Sequence, residues 1–139
     1  MGQVYDISLQ FNGEPDEDEI VKKTIEYIAN TKDHVRYSES DLQLSEESTL
    51  LDALDVIFTD NIGCGYYGPE GSRNLDTIPG RLTAGFNATY GWQEIMENWF
   101  EYVAPAMGEG TWIRIWPDSG VTTAVVKNGK AEFNYCYYC

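Results

Sequence analysis

The chain has 139 residues and a formal net charge of −14, with 42% hydrophobic and 14% aromatic residues. That length accommodates one hydrophobic core, and the apolar content is too high for a disordered acidic tail, so a single folded domain over residues 1–139 is expected. The charge disfavours nucleic acid and anionic membranes as direct ligands and makes a basic protein surface the natural partner.

Val4 to Phe11 alternates in part between apolar and polar positions and stops at Asn12-Gly13, the pattern of a strand. Asp16, Glu17, Asp18 and Glu19 then open a segment in which Ile20, Val21, Thr24, Ile25 and Ile28 share one helical face. Carboxylates in a first turn suit the positive end of the helix dipole. Asp18 with Lys22, and Glu19 with Lys23, stand at i,i+4 with the acid first, the better orientation for an ion pair.

Residues 33 to 47 lack a clear period: Val35, Tyr37, Leu42 and Leu44 suit an edge strand or a loop carrying Glu39, Asp41, Glu46 and Glu47. Ser48 or Thr49 next caps a second helix, with Leu50, Leu51, Leu54, Ile57 and Phe58 inward and Asp52 and Asp55 in water. From Asn61 to Gly91 the chain has seven glycines, two prolines and few aliphatics, which predicts a long loop or a pair of irregular turns.

The third helix is the clearest, since Trp92, Ile95, Met96, Trp99, Phe100 and Val103 recur at helical spacing before Pro105 and Gly108 end it. A meander follows: Trp112 to Trp116, a turn at Pro117 to Gly120, Val121 to Lys127, an Asn128-Gly129 turn, and Lys130 to Tyr138. The expected fold is α+β: an antiparallel sheet of about four strands, from the N-terminal strand and the C-terminal meander, with two to three amphipathic helices on one face.

Motifs that would carry chemistry are weak. Gly63-Cys64-Gly65-Tyr66-Tyr67-Gly68 fits G-x-G-x-x-G, yet Pro69-Glu70-Gly71-Ser72 follows it instead of the helix start a pyrophosphate needs. Cys136 and Cys139 form a C-x-x-C, but zinc needs four ligands and only Cys64 and His34 are left to add. The lone His34 beside Asp33 lacks a nucleophile elbow, and Asp16 to Glu19 lacks the spacing of a calcium loop. Pro117-Asp118 with Lys127 approaches a nuclease core, but Val125 stands where an acid is required. No catalytic residue, metal or cofactor is therefore assigned. With no signal sequence, no apolar run near the ~20 residues that span a bilayer, and an odd count of three cysteines, a cytoplasmic protein with reduced thiols is expected.

The acidic residues are unevenly spread. Fifteen of them, against four basic ones, fall in the first sixty positions, a balance of −11; the other seventy-nine positions hold eight against five, a balance of −3. Carboxylates spaced along helices present charge at intervals comparable with nucleic-acid phosphates, and tyrosines are suited to anchoring interfaces.

Small, strongly acidic, aromatic-rich and without a catalytic motif, the chain resembles the inhibitor proteins of bacteriophages and mobile genetic elements, including anti-CRISPR proteins and DNA mimics. The likeness is one of size and composition. It implies a non-enzymatic inhibitor that engages a basic, nucleic-acid-binding bacterial complex. Asp16, Glu17, Asp18, Glu19, Glu39, Asp41, Glu46, Glu47, Asp52 and Asp55 would be the mimic, and Tyr66 and Tyr67 the anchors. Two alternatives are an immunity protein against a basic nuclease toxin and an enzyme binding a small ligand on the glycine-rich loop 63–71.

Overall fold

A computed structural model describes residues 2–35, 37, 41–58, 73–75, 80–89, 91–117 and 120–137. It is an α+β fold: a six-stranded antiparallel sheet in the order β2-β3-β1-β4-β5-β6 backed by helices. The strands are β1 (Gly2–Gln10), β2 (Arg73–Leu75), β3 (Arg81–Thr89), β4 (Trp112–Trp116), β5 (Gly120–Lys127) and β6 (Lys130–Tyr137). The helices are α1 (Glu17–Thr31), α2 (Leu50–Ile57) and α3 (Trp92–Val103), and Asp41–Gln43 makes a single 3-10 turn.

The count of about four strands is corrected to six. Both additions come from the glycine-rich stretch expected to be loop, and one of them, β3, is nine residues long and pairs with the whole of β1. Leu82, Ala84, Phe86 and Ala88 of β3 point inward beside Tyr5, Ile7 and Leu9 of β1. The rest of the stretch, 59–72 and 76–79, lies outside the described residues.

Alternation decides which face of the sheet is covered. Ile113 and Ile115 of β4 and Thr122, Ala124 and Val126 of β5 are buried under the helices, and their neighbours face the other way. The hairpin between β5 and β6 forms at Asn128-Gly129 as expected: both residues have positive φ, 55° and 74°, which gives a type I′ turn with Lys127 opposite Lys130.

The helical layer carries its own polar ties. The indole of Trp99 donates to Thr24 Oγ1 at 2.9 Å, that of Trp92 to the Ile57 carbonyl at 2.8 Å, and the Tyr27 hydroxyl to the Ile95 carbonyl at 2.9 Å. These bonds cross-link all three helices where unsatisfied donors would be costly. Helix α2 sits slightly rotated from its expected pose. Ala53, Leu54, Val56, Ile57 and Phe58 are inward, Leu50 is half-buried and Leu51 is 36% exposed. None of the described helices is long and apolar enough to cross a membrane.

Candidate partner-binding surfaces

The carboxylates at the start of α1 do two kinds of work. Asp16 is the N-cap: its side chain accepts from the Glu19 backbone N–H at 3.1 Å, and its own N–H donates to the Ala106 carbonyl at 2.9 Å. With the helix start so fixed, Asp16, Asp18, Glu19 and Lys22 meet Glu46 around an open polar cleft of about 500 Å³. The expected i,i+4 ion pairs do not form. Lys22 makes none among the described residues, and Lys23 lies 5.5 Å from the centre of the Tyr102 ring instead. Among the described residues, four carboxylates thus share one cation.

Glu17 lies on the other side of this helix start. It lines a mainly apolar groove of about 330 Å³ with Phe11, Pro15, Leu50, Leu51, Leu54 and Leu82. An acidic cleft and an apolar groove therefore adjoin across the first turn of α1.

The remaining expected acids divide. Glu47 is exposed next to Glu46. Asp52 belongs to a capping box, in which the Thr49 hydroxyl accepts from the Asp52 N–H at 3.1 Å and the Asp52 carboxylate accepts from the Thr49 N–H at 3.0 Å. Asp55 is half-buried on α2, so its place on the wet face is corrected. Asp41 opens the 3-10 turn. Glu39, Tyr66, Tyr67 and the loop 63–71 lie outside the described residues, as do Cys64 and Cys139. His34 is exposed just after α1, and Cys136 is an exposed free thiol. Among the described residues no three His, Cys, Asp or Glu side chains group as metal ligands would.

The second surface is the face of the sheet opposite the described helices. Cross-strand register sets its side chains in rows. One row runs Arg81, Gln10, Trp112, Val125, Glu132; the next runs Thr83, Ser8, Arg114, Thr123, Asn134; Asp6 opposite Trp116 and Val121 opposite Cys136 lie in a third. Arg81 and Arg114 both lie against the Trp112 ring, their guanidinium carbons 5.2 and 4.8 Å from its centre, and Arg81 Nε donates to Gln10 Oε1 at 2.9 Å. In a chain with twenty-three acidic residues, neither guanidinium makes an ion pair among the described residues.

Arg81, Trp112, Arg114 and Trp116 were not singled out from the sequence. The signal was present in Trp112-Ile113-Arg114-Ile115-Trp116, since placing both isoleucines in the core turns both tryptophans and the arginine outward. Compared with known proteins, the chain matches no family model, no curated protein and no solved structure.

Proposed function

We propose that this protein is a non-enzymatic inhibitor that binds a basic protein surface, that of a nucleic-acid-binding bacterial complex, through the acidic start of α1. One observation carries the reading: Asp16, Asp18, Glu19 and Glu46, from segments 27 or more positions apart, converge on one cleft with Lys22 as the only cation lining it among the described residues. Such a cleft attracts lysine and arginine side chains that otherwise hold phosphates. The adjoining groove of Phe11, Leu51 and Leu54 gives the partner an apolar contact, which charge alone would not supply. The action is competitive: a basic channel occupied by these carboxylates is closed to nucleic acid.

The test is affinity capture from bacterial lysate at low and high salt, compared between the native chain and an Asp18→Lys/Glu46→Lys variant. These positions make no capping bond, so the fold should hold. Support requires a basic nucleic-acid-binding complex that is released by salt, displaced by heparin and bound about tenfold or more weakly by the variant. Capture that is indifferent to salt and to the variant would overturn the reading. Identification of the captured protein as a nuclease toxin would instead favour the immunity-protein reading, which uses the same electrostatics.

A further inference from the structure

We infer that the sheet face opposite the helices binds a single strand of nucleic acid. The outward side chains described on β1, β3, β4 and β5 are exposed or half-buried, Gln10 at 7% excepted, whereas the opposite face carries the buried core and the described helices. The two faces also differ in charge. Outward positions of the sheet hold Arg81, Arg114, Lys127 and Lys130 against Asp6 and Glu132, a balance of four cations to two anions in a chain of net −14.

The arrangement suits a strand in particular. Trp116 is half-buried on β4, with no hydrogen bond or ring partner among the described residues, and in this inference its exposed part stacks on a base. Two positions before it, Arg114 is exposed, and its guanidinium is held against Trp112 together with that of Arg81. Cation–π contact orients both guanidiniums while leaving N–H donors for phosphate. Between the two tryptophans runs an entirely polar row, Thr83, Ser8, Arg114, Thr123 and Asn134. One tryptophan on either side of a polar row suits a polymer that alternates flat bases with charged phosphates. A partner helix would want a continuous apolar stripe instead.

The total charge does not forbid this. The acidic cleft is lined by the start of α1 and Glu46, not by the outward side chains of the sheet, and the ~8 Å Debye length at physiological salt screens exposed charges that lie farther apart than that. The sequence-based expectation against nucleic acid rests on net charge, which averages two unlike faces. This inference stands apart from the proposed inhibitor role, since it concerns other residues and its test uses no partner protein. The two surfaces are nonetheless compatible, because a nucleic-acid-binding complex offers both a basic protein and a strand.

The test is titration of the purified chain with oligo-uridylate and oligo-thymidylate of about a dozen nucleotides, within the site size of one sheet, followed by tryptophan fluorescence. Annealed duplexes and an oligo-glutamate serve as comparisons. Saturable quenching by one or both single strands is expected, with RNA and DNA separated by which strand quenches. Binding should weaken about tenfold or more in Arg81→Gln/Arg114→Gln, about tenfold in Trp116→Ala, and not at all in Asp18→Lys/Glu46→Lys. With about −0.7 in the log–log salt slope per phosphate, four cations set a slope no steeper than about −3. No quenching by either strand, equal quenching by duplex, response to oligo-glutamate alone, or binding unchanged in both sheet variants would overturn the inference. Circular dichroism of each variant separates lost binding from lost fold, and the milder Trp116→Phe, which keeps a stacking ring and should keep binding, covers any variant that unfolds.

Discussion

Trp99 and Thr24 are seventy-five positions apart, yet the indole N–H of one donates to the hydroxyl of the other at 2.9 Å, inside a core where both are fully buried. The Thr24 hydroxyl donates onward to the Ile20 carbonyl at 2.7 Å, so the same oxygen accepts from α3 and donates within α1. Replacing Thr24 by valine keeps the volume and removes the acceptor, which leaves the indole N–H buried and unsatisfied. We expect a loss of about 1–3 kcal/mol in urea denaturation. A Trp99→Phe partner variant should show much of that loss to be shared, as a double-mutant cycle would reveal.

Gly108 supplies a second test. A β-carbon there would stand 1.8 Å from the Asn12 carbonyl oxygen, a backbone atom with no freedom to rotate away. Gly108→Ala should cost about 3 kcal/mol or more, at the upper end for overpacking. Gly129→Ala has open space around its β-carbon and a φ of +74°, so it should cost only about 1–2 kcal/mol, the penalty of the left-handed conformation. Thermal melts of the two variants would rank them.

Alkaline pH should loosen the helical layer. Burial, reinforced by Tyr37 and Glu94 nearby, holds the Tyr27 hydroxyl well above the ordinary tyrosine value of 10.0. A raised acid keeps its proton longer folded than unfolded, so its contribution is full below about pH 10 and declines as pH rises above that value. Denaturation midpoints followed upward through that range should fall more steeply for the native chain than for Tyr27→Phe. At neutral pH the variant should be about 1 kcal/mol less stable, having lost the bond to the Ile95 carbonyl.

Asp52 and Asp18 carry the same charge and should respond oppositely to neutralisation. Asp52→Ala removes half of the capping box with Thr49 and should lower stability by about 1 kcal/mol, with little effect on a salt-sensitive partner. Asp18→Asn removes no cap and should leave the melting temperature near that of the native chain while weakening partner binding. Parallel melting and binding measurements on the two variants would separate structural from interfacial acids.

Much of the fold could be read from the chain because its elements keep one period throughout. Trp92 to Val103 places large side chains at every helical repeat, and Asn128-Gly129 carries its hairpin geometry in two residues. Strand β3 escaped because two of its inward positions are Ala84 and Ala88, which have little strand preference, and Gly85 punctuates it like a loop. The acidic cleft was half visible. The run from Asp16 to Glu19 marks itself, but Glu46 joins it through tertiary packing that no local pattern encodes. The sheet face was hidden for another reason: counting charge over the whole chain conceals a side whose sign is opposite.

The position of β1 has a consequence for how the chain reaches this state. It lies between β3 and β4, so Leu9 aligns with Leu82 on one side and Ile113 on the other. In synthesis β1 precedes both of its neighbours, and its backbone donors and acceptors wait until residue 116 has left the ribosome before both neighbours exist. Helices α1 and α2 can form locally by then, but they have only part of the sheet to cover. Nascent chains stalled before β4 would therefore carry β1 with β3 on one side only, and the open edge on its other side exposes them to mispairing until β4 is added.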